Sequence, residues 1–169
     1  LDIQVLKKLG ISAKGEPDLE KWKSFLYRLK NPLTEVNIGL VGKYVELKDA
    51  YKSISEAFIH AGAATQCKVK IKWIHSEKLE DNPDCIQEEL QGLNGILVAP
   101  GFGSRGIEGK IMAVRYAREN KIPFLGICLG MQCAVIEFAR NVLGYKDAHS
   151  VEMMASTSSC LLSKIVRTV

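Results

Sequence analysis

The apolar positions along the chain change period repeatedly, and each change marks an element. Between Asp18 and Lys30, Trp22, Leu26 and Leu29 recur at i, i+4 and i+7, the spacing of one helical stripe. Asp18 is a capping residue type, and Asn31-Pro32 stops the run because the position before proline is pushed out of helical geometry. Val36 to Val41 reads as a strand closed by Gly42-Lys43-Tyr44. Asp49 is placed to cap a following helix, in which Ile54, Phe58 and Ala61 line one face. Lys68 to Ile74 alternates Lys-Val-Lys-Ile-Lys-Trp-Ile, a period-two strand whose lysines form a wet face. Asp81 to Asp84 reads as loop, Ile86 to Leu90 as a short helix, and Gly95 to Val98 as an apolar, central strand. A glycine-rich turn, Ala99-Pro-Gly-Phe-Gly-Ser-Arg-Gly106, leads to a helix over Lys110 to Asn120. Pro123 to Ile127 is a fourth strand, and Leu129 to Leu143 has helical period. In that last helix Glu137, Arg140 and Asn141 share one narrow face and nearly everything else is apolar, which predicts burial on most sides.

Strand–helix alternation at this spacing predicts an α/β fold with a doubly wound, mostly parallel sheet and a flavodoxin-like core. Residues 1–33 read as linker or docking helices ahead of it. In such sheets ligands sit beyond the carboxyl ends of the strands. Both glycine stretches, 101–106 and 126–130, follow strands and so open on one rim.

Composition narrows the function classes. Of 169 residues 47% are hydrophobic and 25% charged, which suits one globular domain, and the net charge of +4 is dispersed rather than gathered into a basic block. Nucleic acid and membrane partners are therefore not expected, and no apolar run is long enough to span a bilayer. Five cysteines without a C-x-x-C pair support neither a disulfide framework nor a metal site, and a reducing cytoplasm is the expected compartment. The start, Leu1-Asp2-Ile3-Gln4, is neither an initiator methionine nor a signal peptide, and the expectation is a chain that begins inside a longer one.

The chemistry-bearing stretch is Pro123-Phe-Leu-Gly-Ile-Cys128-Leu-Gly-Met-Gln132. Cys128 falls where strand period gives way to helix period, flanked two residues away by Gly126 and Gly130. This is the cysteine form of the G-x-S-x-G elbow, in which small neighbours let a strained turn present the nucleophile at the top of the sheet. The unpaired N–H groups and dipole of the following helix favour a thiolate there. A buried cysteine in a tight turn explains a bare G-x-C-x-G equally well. The second glycine turn tips the balance, because it lies where an oxyanion needs backbone N–H donors. Gly42-Lys43 after a strand invites a phosphate-loop reading, but the upstream glycine spacing and a following Ser or Thr are absent.

Gly126 to Gln132, Pro100 to Gly106 and Leu40-Val-Gly-Lys-Tyr-Val-Glu-Leu-Lys-Asp-Ala-Tyr51 together resemble the glutaminase domain of the CTP synthases, class I (triad) glutamine amidotransferases, from about Leu19 to Ser158. The resemblance implies that Cys128 attacks the side-chain amide of L-glutamine, giving a γ-glutamyl thioester and ammonia. It implies an oxyanion hole from the N–H of Leu129 and of the Gly101 region. Gly101, Leu129, Gly130, Met131, Gln132 and Glu152 match positions that hold glutamine, Glu152 partnering its α-ammonium. No cofactor is implied for this chain. For the full-length enzyme the resemblance implies an amidoligase domain that uses ATP and Mg²⁺ to aminate UTP to CTP, GTP as effector, and a homotetramer.

Two departures qualify it. The family places a His-Pro-Glu motif downstream of the nucleophile as its base; no histidine follows His149 here, and His149 matches the glutamine-side loop instead. The expectations are a chain without its amidoligase domain and triad base, incomplete at its C-terminal side, inactive alone, and with an apolar sheet surface left bare. After Ser158 the family commonly continues His-Pro-Val, whereas this chain reads Ser159-Cys160-Leu161. Codons CAT CCT GTN read two bases late begin with Ser-Cys, so residues 159–169 are read as a divergent, frame-shifted tail; a natural short variant whose tail packs as a strand is the alternative. Ala99-Pro100 also stands where the family often has Pro-Gly. Another class I amidotransferase, a non-catalytic glutamine-binding or assembly module, and a plain flavodoxin-like binding domain remain as competing readings.

Overall fold

Apolar runs bounded by turn residues become the strands of one sheet. The computed structural model describes residues 2–12 and 15–150, so Glu152 and the tail 159–169 lie outside the described residues. Its strands are β1 (Thr34–Gly42), β2 (Cys67–His75), β3 (Gly95–Val98) and β4 (Phe124–Gly126), in the spatial order β2-β1-β3-β4. Every pairing is parallel, with Thr34 facing Cys67, Gly39 facing Ile96, and Leu97 facing Leu125. Helices α1 (Asp2–Leu9) and α2 (Glu20–Lys30) precede the sheet. Helix α3 (Lys52–Thr65) joins β1 to β2, and α4 (Ser76–Asp81) with α5 (Ile86–Leu90) joins β2 to β3. Helix α6 (Ile107–Glu119) joins β3 to β4, and α7 (Leu129–Asn141) follows β4.

Alternation along the strands splits the core in two. Val41, Ile96 and Val98 pack with Leu79, Ile111, Val114, Leu129, Cys133 and Ile136 on one face. Leu40 and Leu97 face the other way, towards Tyr51, Ile54 and Phe58. Helices thus cover both faces, the doubly wound arrangement that the strand–helix alternation predicts. The α3 side is thinner near β4. There Leu125 is 57% exposed, and an apolar groove of about 450 Å³ runs between Ile54, Phe58, Leu97, Leu125 and Ile127.

Several local expectations shift. In α2 the half-buried positions are Phe25, Leu26 and Arg28, whereas Trp22 is exposed and stacks on Phe25 at 5.4 Å. The helix packs chiefly on α3, with the Phe25 ring 5.2 Å from His60, so the inward face is set by that contact. Asp18 does accept the Glu20 N–H at 3.0 Å. Asp49 does not cap α3: it lies in a 3₁₀ turn, Lys48–Tyr51, and α3 starts after Tyr51. The reason is Tyr51 itself, whose buried hydroxyl accepts the Lys43 N–H at 3.1 Å and fixes where the helix begins. In α3, Ile54 and Phe58 face inward but Ala61 is exposed; Gly62 and Ala63 are buried instead.

The loop expected over 81–84 is largely helical: α4 ends at Asp81, and Pro83–Cys85 is a 3₁₀ turn. A six-residue helix is too short to show a period, and tertiary packing stabilises it. A Cβ on Gly109 of α6 would lie 1.9 Å from the Ser76 carbonyl oxygen, so the two helices touch by their backbones. From α4, Glu80 reaches the start of α6 and accepts the Glu108 and Gly109 N–H groups at 3.1 and 3.4 Å, where the helix dipole favours a carboxylate. Two of the three lysines of β2 are half in solvent but paired, Lys70 with Glu35 and Lys72 with Glu89.

Helix α7 departs most from its pattern. Its narrow polar face is turned partly inward, with Asn141 exposed at its edge: Glu137, 1% exposed, takes a bidentate pair of hydrogen bonds from Arg118 of α6 and one from Asn141. Arg140 donates to Glu108 at 3.0 Å. Met131, Phe138 and Val142 are exposed instead. A charged pair can be buried when its bonds are complete, and here it clamps α7 to α6.

Candidate functional site

The chain leaves β1 for β2 on one side and returns to β3 on the other, so the topological switch lies between β1 and β3. The crevice beyond the carboxyl ends of these strands is where an open α/β sheet takes its ligand. Three segments meet on that rim: Gly42-Lys43 after β1, the turn from Ala99 to Gly106 after β3, and Ile127-Cys128 after β4.

Cys128 sits at φ 53°, ψ −107°, outside the left-handed helical well that a non-glycine residue can visit. Such a conformation costs about 1–3 kcal/mol and persists only where neighbours over-determine it. The neighbours here are specific. Ile127 N–H donates to the Val98 oxygen at 3.1 Å, tying the residue before the elbow to β3. Met131 and Gln132 N–H groups donate to the Cys128 oxygen at 3.0 and 3.2 Å, tying the residue after it into α7. Both flanking glycines are sterically required. A Cβ on Gly126 would lie 2.5 Å from the Gly130 carbonyl, and one on Gly130 only 2.1 Å from the Val98 oxygen. The elbow leaves the Cys128 side chain exposed while Leu129 and Gly130 are buried. Leu129 opens α7, so its N–H has no intrahelical acceptor.

The glycine turn is held from below by two lysines. Ala99 N–H donates to Val41 oxygen at 2.9 Å, continuing the sheet by one residue. Lys110 Nζ, fully buried, donates to the Ala99 oxygen at 2.7 Å. Lys43 Nζ donates to the oxygens of Phe102 and Gly103 at 2.7 and 2.9 Å. Burial pushes the Lys110 ammonium down to about 8, the Cys133 thiol opposing the fall and Lys43 adding to it. Burial also lowers Lys43, with Arg105 as the next cause. In turn burial pushes the Cys133 thiol up to about 11. The turn meets the elbow at Gly101, where an added Cβ would contact Leu129 at 3.7 Å and Lys110 at 3.6 Å. Gly103 adopts φ +77°, which a side chain rarely tolerates.

The structure therefore brings Cys128, Leu129, Gly130 and Gly101 together on one rim. Met131 is half exposed on the first turn of α7. Gln132 accepts a hydrogen bond from Ser150 Oγ at 2.9 Å, which ties α7 to the segment around His149. His149 Nδ1 accepts the Ser150 N–H at 3.0 Å. Glu152 lies outside the described residues. Lys43 and Lys110 are the site residues that sequence reasoning passes over. Lys110 carried one signal, since it shares a helical face with Ile107, Ile111 and Val114, an apolar stripe into which a lysine does not belong without a partner. Among the described residues no helix is long and apolar enough to cross a membrane.

Comparison with known proteins gives a consistent picture. Residues 46–168 match the family model described as glutamine amidotransferase class-I. The sequence is 69% identical to a CTP synthase of Cytophaga hutchinsonii over 163 residues, covering 96% of this chain and 30% of that protein. It is 61% identical to a CTP synthase of Methanocaldococcus jannaschii over 158 residues, covering 90% and 29% respectively. The chain thus spans about three-tenths of the length of these curated relatives. Among solved structures, the Trypanosoma brucei CTPS glutaminase domain with bound acivicin superposes with a TM-score of 0.68 at 44% identity, over 73% of this chain and 47% of that one.

Proposed function

The chain belongs to the class I glutamine amidotransferase family, matching the glutaminase part of the CTP synthases, and on that premise we propose that its rim is a glutamine site with Cys128 as the nucleophile. The observation that carries this reading is the strained backbone of Cys128, which leaves an exposed cysteine at the N-terminus of α7, next to Leu129, the residue that Gly101 of the glycine turn approaches.

In the proposed step the Cys128 sulfur attacks the side-chain carbonyl of glutamine. The carbonyl oxygen takes up negative charge, which the N–H of Leu129 and an N–H of the Gly101 turn stabilise. The tetrahedral intermediate then expels ammonia, leaving a γ-glutamyl thioester that water hydrolyses. Gly130, Met131 and Gln132 line the substrate's flank, and Glu152 supplies the carboxylate for its α-ammonium. A general base must take the thiol proton and return it to the leaving nitrogen. No His-Pro-Glu sequence occurs among these 169 residues, and a base in that role contributes about 10²–10⁴-fold of acid–base catalysis. In the whole enzyme the ammonia passes to an amidoligase domain for the ATP-dependent amination of UTP to CTP.

Ammonia release from purified chain in excess glutamine tests the division of labour. Binding by calorimetry with no steady release supports it. Sustained hydrolysis that disappears in Cys128→Ser would show that a base is present after all, and absence of both binding and release would leave the rim without its proposed ligand.

A further inference from the structure

Two buried cations serve one short loop, and among the described residues neither meets a carboxylate at hydrogen-bond range. Lys110 spends its donor on the Ala99 carbonyl, and Lys43 spends its donors on the Phe102 and Gly103 carbonyls. Burying an ammonium of this kind is costly, as the depressed value at Lys110 records. A loop that needed only to turn would manage with its glycines.

Peptide geometry points to what the lysines supply. In a trans peptide the C=O and the following N–H point in opposite directions. Between the two anchored carbonyls, of Ala99 and Phe102, lie three N atoms; Pro100 has no hydrogen, leaving the N–H groups of Gly101 and Phe102. Those two N–H groups belong to the Pro100–Gly101 and Gly101–Phe102 peptides, whose carbonyls are not the ones the lysines hold, so the anchors act on them by fixing the two ends of this short span. Gly101 is also where the turn meets Leu129 of the elbow.

We propose that Lys110 and Lys43 are positioning residues for the oxyanion site: they hold the Ala99–Gly103 turn so that the N–H groups of Gly101 and Phe102 face the carbonyl oxygen of a substrate on Cys128. The inference rests on the glutamine reading of the rim. It assigns the lysines no contact with substrate, and it distinguishes them from ordinary core residues by a specific consequence: only reactions that place charge in the oxyanion site depend on them.

The test compares two electrophiles on the full chain. Acivicin, a chlorodihydroisoxazole amino acid, mimics glutamine; the Cys128 sulfur bonds to the ring carbon bearing chlorine, the C–Cl bond breaks, chloride leaves and the thiol proton goes to solvent. Charge develops on the ring nitrogen, which occupies the place of the amide oxygen. Iodoacetamide alkylates the same thiol with no need of that site. In Lys110→Met and in Lys43→Met, acivicin capture should slow about 10–100-fold, the cost of a misplaced oxyanion donor. Iodoacetamide alkylation of Cys128 should keep its wild-type rate in Lys43→Met; in Lys110→Met, whose charge is coupled to the Cys128 sulfur, it is the reference against which the additional slowing with acivicin is read. Wild-type acivicin rates in the variants, or an equal slowing with both reagents, overturn the proposal. If Lys110→Met fails to show a cooperative unfolding transition, Lys43→Met alone decides. Failure of the unsubstituted chain to react with acivicin would instead remove the glutamine reading itself, before any variant is made.

Discussion

Gly130→Ala sets two effects of opposite sign against each other at the elbow. On helix propensity alone, alanine for glycine within the first turn of α7 stabilises by about 0.5–1 kcal/mol. The steric cost is larger. The new Cβ would fall 2.1 Å from the Val98 carbonyl oxygen and 2.9 Å from its carbon. A close C···O contact sits at about 3.3 Å, so roughly 1.2 Å must be recovered. Val98 cannot retreat, since its oxygen accepts the Ile127 N–H at 3.1 Å and its strand is paired on both sides. Helix α7 has to lift, and with it the packed Leu129, Cys133 and Ile136. Overpacking of this order costs about 1–3 kcal/mol, occasionally more, so after the propensity gain the net effect is a destabilisation of about 1 kcal/mol. Urea unfolding followed by tryptophan fluorescence should show the midpoint falling with the slope unchanged. A midpoint that stays put or rises would refute the claim that α7 and β3 meet by backbone contact, and with it the geometry given for Cys128.

Three further outcomes follow from the same structure. Glu137→Ala leaves Arg118 and Asn141 without their shared acceptor; because the Arg118 side chain is about a third exposed and can return to water, the loss in unfolding free energy should be about 2–3 kcal/mol rather than the full cost of a broken buried pair. Lys110 is held at about 8 against an ordinary 10.5, so between those values the unfolded chain carries the proton that the folded chain has released, and stability rises with pH; Cys133, pushed up to about 11 from 9.0, acts with the opposite sign above pH 9. The rise is therefore cleanest from pH 8 to 9, about 1 kcal/mol by chemical denaturation, and Lys110→Met should flatten it. Leu125→Glu, on the bare side of β4 beside the apolar groove, should reduce concentration-dependent association in sedimentation experiments without lowering the unfolding midpoint; unchanged association would place the sticky surface elsewhere.

What could be read from the sequence was what is local. The run Gly95–Val98 is a central strand because nothing in it is polar, and the elbow shows itself by two glycines and a change of period within five residues. The doubly wound class follows from strand–helix alternation, whereas the order β2-β1-β3-β4 emerges only in the structure. What escaped depends on partners far along the chain. Helix α4 exists because Gly109 lets α6 approach Ser76, and the start of α3 is set by a hydroxyl that meets Lys43 eight residues earlier. Glu137 looks like a solvent-facing residue until Arg118, nineteen positions before it, turns it inward. Lys43 and Lys110 are the sharpest case. Their role lies in three carbonyl oxygens of a loop, and backbone oxygens leave no trace in residue type.

The most direct test of the account is where a glutamine-shaped electrophile lands. Cys67 is the natural competitor, its thiol held below the ordinary value by hydrogen bonds with Thr34 and Thr65, so an undirected reagent has good reason to choose it. Intact mass and peptide mapping of the chain after limited acivicin treatment should show one adduct, on Cys128, formed more slowly in the presence of L-glutamine. Labelling spread over Cys67 and the other cysteines, or a Cys128 rate indifferent to L-glutamine, would contradict it.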